Sequence, residues 1–155
     1  MTSNNRHELV LTRDIAVTPQ QVWQAWTSPE IVKQWFCPKP WQTVECEIDL
    51  KPGGRFYTCM QGPNGENVGG EGCILIVEEN YCFAWTDCLQ PGFYPASEPF
   101  MTAILTVEEL GNQQSRYTAT VKHKNAEDKK RHEEMGFFDG WGTALTQLVD
   151  VAASL

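Results

Sequence analysis

VTPQQVWQAWTSPEIVKQW, residues 17–35, decides the fold because it writes two consecutive helix starts. Thr18 is placed to cap a first helix, Pro19 stands where its missing N–H costs nothing, and Gln21 completes a Thr-x-x-Gln capping box. Val17 and Val22 fall at the two positions of a hydrophobic staple. The same grammar then repeats: Ser28 caps, Pro29 opens, and Ile31 and Trp35 lie one turn apart on one face. The spacing predicts two short helices in a bent pair.

Outward from this pair the chain is β-rich. Upstream, ELVLTRDI (residues 8–15) puts Leu9, Leu11 and Ile15 on one face, with Arg13 interrupting the series, and residues 1–7 are expected to be a flexible terminus. Downstream, Val44, Cys46, Ile48 and Leu50 alternate with Glu45, Glu47 and Asp49, as in a half-buried strand. Pro52-Gly53-Gly54 turns the chain into a strand at 55–60, and Pro63-Asn64-Gly65 turns it again. Further strands are read at 72–77, 81–86, 101–107 and 117–123. Short turns between consecutive strands imply an antiparallel meander, so the expected order is β-α-α-β-β-β-β-β-β-α within one domain, residues 8–155.

The last helix is read from Met135 onward. Phe138, Trp141, Leu145, Leu148 and Ala152 recur at three- and four-residue spacing, while Asp139, Thr143, Thr146, Gln147 and Asp150 gather opposite. At 100° per residue the apolar arc spans roughly 200°, wider than a helix on a flat sheet needs. A sheet that curls around the helix would use it. On this wheel Gly136 and Gly140 lie on the polar side and are not expected to make room for a ligand. Extended backwards, the wheel puts Glu134 near the centre of the apolar arc, either solvated beyond the sheet or facing inward at a cavity mouth. Lys130 and Arg131 point broadly the same way, which favours solvation.

Four blocks carry a resemblance. They are Val17-Thr18-Pro19-x-x-Val22-Trp23-x-Ala25-Trp26-Thr27-x-Pro29-Glu30 with Trp35-Phe36, then Asp49-Leu50-Lys51-Pro52-Gly53-Gly54-Arg55-Phe56, and finally His132-x-x-Met135-Gly136-Phe137-x-x-Gly140-Trp141. From about Glu8 onward the chain resembles the family similar to the activator of the heat-shock-protein-90 ATPase, within the START and polyketide-cyclase-like (SRPBCC) superfamily. The resemblance implies an α+β helix-grip fold: a curved antiparallel sheet of about six or seven strands wrapped around a long C-terminal helix, with a cavity between them. Relatives of this type bind lipids, hormones and polyketides, and some catalyse. The resemblance therefore implies binding of a small apolar molecule, lipid-like, aromatic or polyketide-like. It also leaves open a co-chaperone module acting on a ninety-kilodalton heat-shock chaperone, and a cyclase, aromatase or hydrolase using the same cavity.

Composition narrows the classes. With 155 residues and 41% hydrophobic content the chain can bury a core of its own. No apolar run approaches the ~18 residues of a membrane span, and MTSNNRHE lacks the apolar segment of a signal peptide, so a cytoplasmic location is expected. A net charge of -8 opposes nucleic-acid or anionic-membrane partners. Cysteines at 37, 46, 59, 73, 82 and 88 form no Cys-x-x-Cys and mostly fall inside strands, which reads as reduced, small hydrophobes.

No constellation announces chemistry. Gly-x-Ser-x-Gly, His-Glu-x-x-His, the phosphate-loop pattern and Gly-x-Gly-x-x-Gly after a strand are all missing. His123, His132 and a carboxylate such as Glu133 could be combined into a metal site, but ordinary solvated or capping histidines are the simpler reading. The reading therefore assigns no catalytic residue, no metal and no cofactor, and favours binding over turnover. Trp23 and Trp26 are read as core. Trp35, Tyr57, Trp85, Tyr117, Phe138 and Trp141 are the aromatic candidates for the cavity wall, and Glu134 for its mouth. Asp87 to Pro99, DCLQPGFYPASEP, is longer than a strand connection needs, so its Phe93-Tyr94 pair is a candidate lid or binding loop.

Overall fold

A computed structural model describes residues His7 to Leu155; the expectation of a flexible terminus falls, except for His7, outside the described residues. His7 itself is held, its carbonyl accepting the His123 backbone N–H at 2.8 Å. Strand β1 (Glu8–Ile15) is followed by α1 (Pro19–Thr27) and α2 (Pro29–Trp35), then β2 (Gln42–Ile48), β3 (Arg55–Gln61), β4 (Asn67–Glu78) and β5 (Cys82–Thr86). A minor hairpin, β6 (Leu89–Gln90) and β7 (Tyr94–Pro95), precedes β8 (Met101–Gly111), β9 (Gln114–His123), α3 (Ala126–Glu134) and α4 (Phe137–Ala152).

The helix starts form as their residues dictate, with one exception. Thr18 Oγ1 accepts the Gln21 N–H at 3.2 Å while Gln21 Oε1 accepts the Thr18 N–H at 2.8 Å, closing the capping box. Val17 and Val22 are both buried beneath it. Ser28 differs: its hydroxyl caps nothing, and its carbonyl accepts from Ile31 and Val32 at 3.0 and 2.8 Å. Pro29 alone then sets the first turn of α2.

Seven strands form one antiparallel sheet in the order β1-β9-β8-β5-β4-β3-β2. Register shifts in β2–β3, β4–β5 and β8–β9 each add a kink and local twist, which lets the sheet curl. The curl receives α4, which also packs on α1, α2 and β1. At the β1–α1 junction Ser115 Oγ, fully buried, donates to the Val17 carbonyl at 2.6 Å and ties the entry of α1 to β9.

The C-terminal helix is not continuous. Gly136 adopts φ +92°, a left-handed conformation that glycine takes at no steric cost, and separates α3 from α4. A wheel carried back through this break assigns the wrong faces. Asn125 caps α3 through the Asp128 N–H at 2.8 Å, an additional helix that hydrophobic periodicity could not reveal because its residues are almost all charged. All six cysteines are unpaired, and burial pushes the Cys46 thiol up to about 11 and raises those of Cys37 and Cys82, so none of these three is poised as a thiolate.

Candidate ligand-binding cavity

Between the inner face of the sheet and the first half of α4 lies a cavity of about 690 Å³. Strand parity builds its floor: Phe56, Thr58 and Met60 alternate inward along β3, and Trp85 does so on β5. Gly70 and Gly72 on β4 add no side chains to fill it. The roof is Phe137, Gly140, Trp141, Ala144 and Leu145 of α4. Trp35, with Cys37, Pro38 and Trp41 of the segment after α2, closes one flank. Met135 borders the cavity while 71% exposed, so the open end lies at the α3–α4 break.

Of the residues expected at the wall, Trp35, Trp85, Tyr117 and Trp141 line the cavity. Tyr57, Phe93, Tyr94, Glu134 and Phe138 do not. Tyr57 points to the outer face, opposite in parity to Phe56 and Thr58, where the Arg55 guanidinium stacks 4.4 Å from its ring and its hydroxyl donates to Glu45 at 3.2 Å. The Asp87–Pro99 connection folds onto its own small hairpin instead of over the cavity. Gly92 N–H donates to the Gly53 carbonyl at 2.8 Å, and Phe93 packs so closely on Gly53 that a Cβ there would lie 2.7 Å from the ring. Glu134 is exposed, and Phe138 is 44% exposed while its neighbour Phe137 is the buried member of the pair.

Gly136 and Gly140, expected on the polar side, both line the cavity, and a Cβ on either would meet no atom within 4 Å. They leave space that a larger residue would occupy. Trp26 is core, as expected, but it also contributes to the wall. Phe56 and Phe137 were hidden from periodicity, since each could be told from its neighbour only by knowing which way the sheet curls and where the helix restarts.

Polar groups in the wall are few. Trp35 Nε1 donates to the Ala25 carbonyl at 3.0 Å. The indole nitrogens of Trp26 and Trp85, in contrast, are buried without a hydrogen-bond partner among the described residues. Burial pushes the Tyr117 hydroxyl far above its usual range; the nearby Trp26 indole opposes this slightly, without reaching standard hydrogen-bond geometry. Asp87 Oδ1 accepts the N–H groups of Phe100 and Met101, both at 2.9 Å, and so closes the base of the β6–β7 hairpin.

Glu71, also in the wall, is paired with the Arg55 guanidinium, and His132 is a further titratable group there. Its Nδ1 lies 2.9 Å from His123 Nε2, and its ring contacts those of Phe100 and Phe137, both at 5.1 Å between centroids. The pair does not extend into a metal site: Glu133 is exposed, and no group of three ligand-type side chains forms among the described residues. Burial, helped by His123, lowers the His132 pKa to about 4. Because the folded value lies below the unfolded one, protons bind the unfolded chain first and stability falls as pH drops from about 6.5 toward 4. Over that window the wild type should lose up to roughly 3 kcal/mol relative to His132→Phe, read as a shift in urea midpoint. Parallel pH profiles for the two proteins would contradict the neutral, buried assignment.

The model of the family described as Activator of Hsp90 ATPase homolog 1-like protein matches residues 16–153. A crystal structure of a protein from Nitrosomonas europaea is 40% identical, covers 98% of this chain and 97% of its own, and superposes with a TM-score of 0.93. One from Mycobacterium smegmatis is 26% identical over 96% of this chain and 92% of its own, with a TM-score of 0.79. A Silicibacter pomeroyi protein whose name carries the same family label is 22% identical, covers 94% of this chain and 97% of its own, and shares the fold at a TM-score of 0.67. No curated protein matches the sequence. No helix among the described residues is long and apolar enough to cross a membrane. On the match that spans residues 16–153, the chain belongs to the Activator of Hsp90 ATPase homolog 1-like family.

Proposed function

We propose that this protein binds one small, largely apolar molecule in the cavity between sheet and α4. One observation carries the reading: an aromatic-lined cavity of about 690 Å³ between the sheet and α4. That volume falls in the ~300–1,000 Å³ range of small-molecule sites. A wall that includes Trp35, Phe56, Trp85, Phe137 and Trp141 suits flat aromatic or polyketide-like molecules better than plain hydrocarbon chains. Six unpaired thiols support a reducing, cytoplasmic setting.

Native mass spectrometry of protein purified from its own host should show a retained small molecule. A fluorescent apolar probe should bind the emptied protein at one-to-one stoichiometry and alter tryptophan emission. Absence of saturable binding across lipid-like, aromatic and polyketide-like probes would remove the reading. The family description supports a second one, stimulation of a ninety-kilodalton chaperone ATPase. Assayed in parallel, an excess of the protein that leaves the host chaperone's steady-state rate unchanged retires that alternative.

A further inference from the structure

The His123–His132 pair carries more than a pH response, because its hydrogen bonds determine which ring nitrogen is left for a ligand. The His7 carbonyl can only accept, so His123 Nδ1, 3.0 Å from it, bears the proton. Neutral His123 then offers Nε2 as a lone pair, and His132 Nδ1, 2.9 Å away, must donate to it. What remains on His132 is Nε2, a bare acceptor with no donor among the described residues, on a ring that is only 8% exposed and lines the cavity. Both donated bonds run away from the cavity, and each strengthens the acceptor behind it.

The surroundings keep this arrangement single. Phe100, Phe137 and Trp141 surround the His132 ring at centroid distances of 5.1, 5.1 and 6.3 Å. No carboxylate competes for its Nδ1 proton: Asp128 is engaged by Lys124 and Arg131, and the Asp87 Oδ1 is committed to backbone N–H groups. Arg131 lies over the far ring, Phe100, at 4.9 Å. Burial holds His132 uncharged near neutral pH, so the lone pair is available.

The geometry points to His132 Nε2 as a hydrogen-bond acceptor subsite near the cavity mouth, held in one tautomer by the His123–His7 relay and selecting ligands that carry an O–H or N–H donor. With the aromatic wall around it, the favoured ligand is an aromatic or polyketide-like molecule bearing a hydroxyl. This deepens the binding reading above and rests on it.

The test compares 2-naphthol with 2-methylnaphthalene, which replaces the hydroxyl by a methyl, by calorimetry on the full chain near neutral pH. His132→Phe retains a packing ring and removes the acceptor. The ratio of the two affinities should shift by about tenfold against 2-naphthol in His132→Phe, equivalent to ~1.4 kcal/mol. An unchanged ratio, with both probes binding, overturns the subsite and leaves the apolar cavity standing. If neither probe saturates the wild type, the binding reading and the subsite fall together. Should His132→Phe fail to fold, nitrogen NMR of the wild type decides: a protonated Nδ1 and bare Nε2 on His132 are expected, and the opposite tautomer overturns the assignment.

Discussion

Gly140→Leu is expected to reduce probe affinity at least about 100-fold, ~2.7 kcal/mol, while leaving the fold as stable as the wild type or more so. Gly140 sits in the first turns of α4, its N–H bonded to the Gly136 carbonyl at 2.7 Å, and an added Cβ would meet no atom within 4 Å. The leucine side chain therefore enters the cavity rather than the core. Replacing glycine within a helix also gains up to about 0.8 kcal/mol of propensity. Gly136 is unsuited to the same experiment, since its φ of +92° strains any side chain placed there. Probe titration beside urea unfolding reads both effects, and wild-type affinity in Gly140→Leu would place the bound molecule somewhere other than this cavity.

Trp35→Ala should cost the most stability of any single change considered, about 3–5 kcal/mol. Trp35 is buried, lies 4.9 Å from Trp26 and 5.6 Å from Phe36 between ring centroids, and joins α2 to α1 through its bond to the Ala25 carbonyl. Truncation removes the packing and leaves that carbonyl unpaired at once. Trp35→Phe separates the two terms: it keeps most of the ring contact and should cost on the order of 1–3 kcal/mol for the orphaned acceptor. Chemical denaturation of both variants measures the difference. A loss below about 1 kcal/mol for Trp35→Ala would mean that the indole serves the cavity alone and does not hold the two helices together.

These two positions differ in how far local sequence discloses them. Trp35 could be placed on a helix and near the interior from the Ser28-Pro29 start and its spacing from Ile31. A helical wheel centred on Phe138 puts Gly140 on the polar side, whereas Phe137 is the buried residue. In α4 the buried side runs from Phe137 through Leu145 and Leu148, and Gly140, one turn after Phe137, borders the open space beside it. Tyr57 illustrates a second limit. Alternation along residues 55–60 separates two faces, but both carry bulky groups, so only the direction of sheet curl decides that Phe56 faces inward and Tyr57 stacks with Arg55 outside.

What the sequence determined by itself is the local and periodic part of this protein: the Thr18–Gln21 capping box, the proline-led helix starts, the seven main strands, and the apolar face that called for a curled sheet. Those features depend on residues within a few positions of one another, where sterics, capping and amphipathic spacing act directly. Tertiary structure alone decided the site. His7, His123 and His132 meet because β1, β9 and α3 converge at one end of the sheet, and the Phe93 loop is drawn away from the cavity by a glycine nearly forty positions earlier. Cavity volume and the hydrogen-bond state of a buried imidazole or indole arise from contacts between distant elements, and no local pattern specifies them.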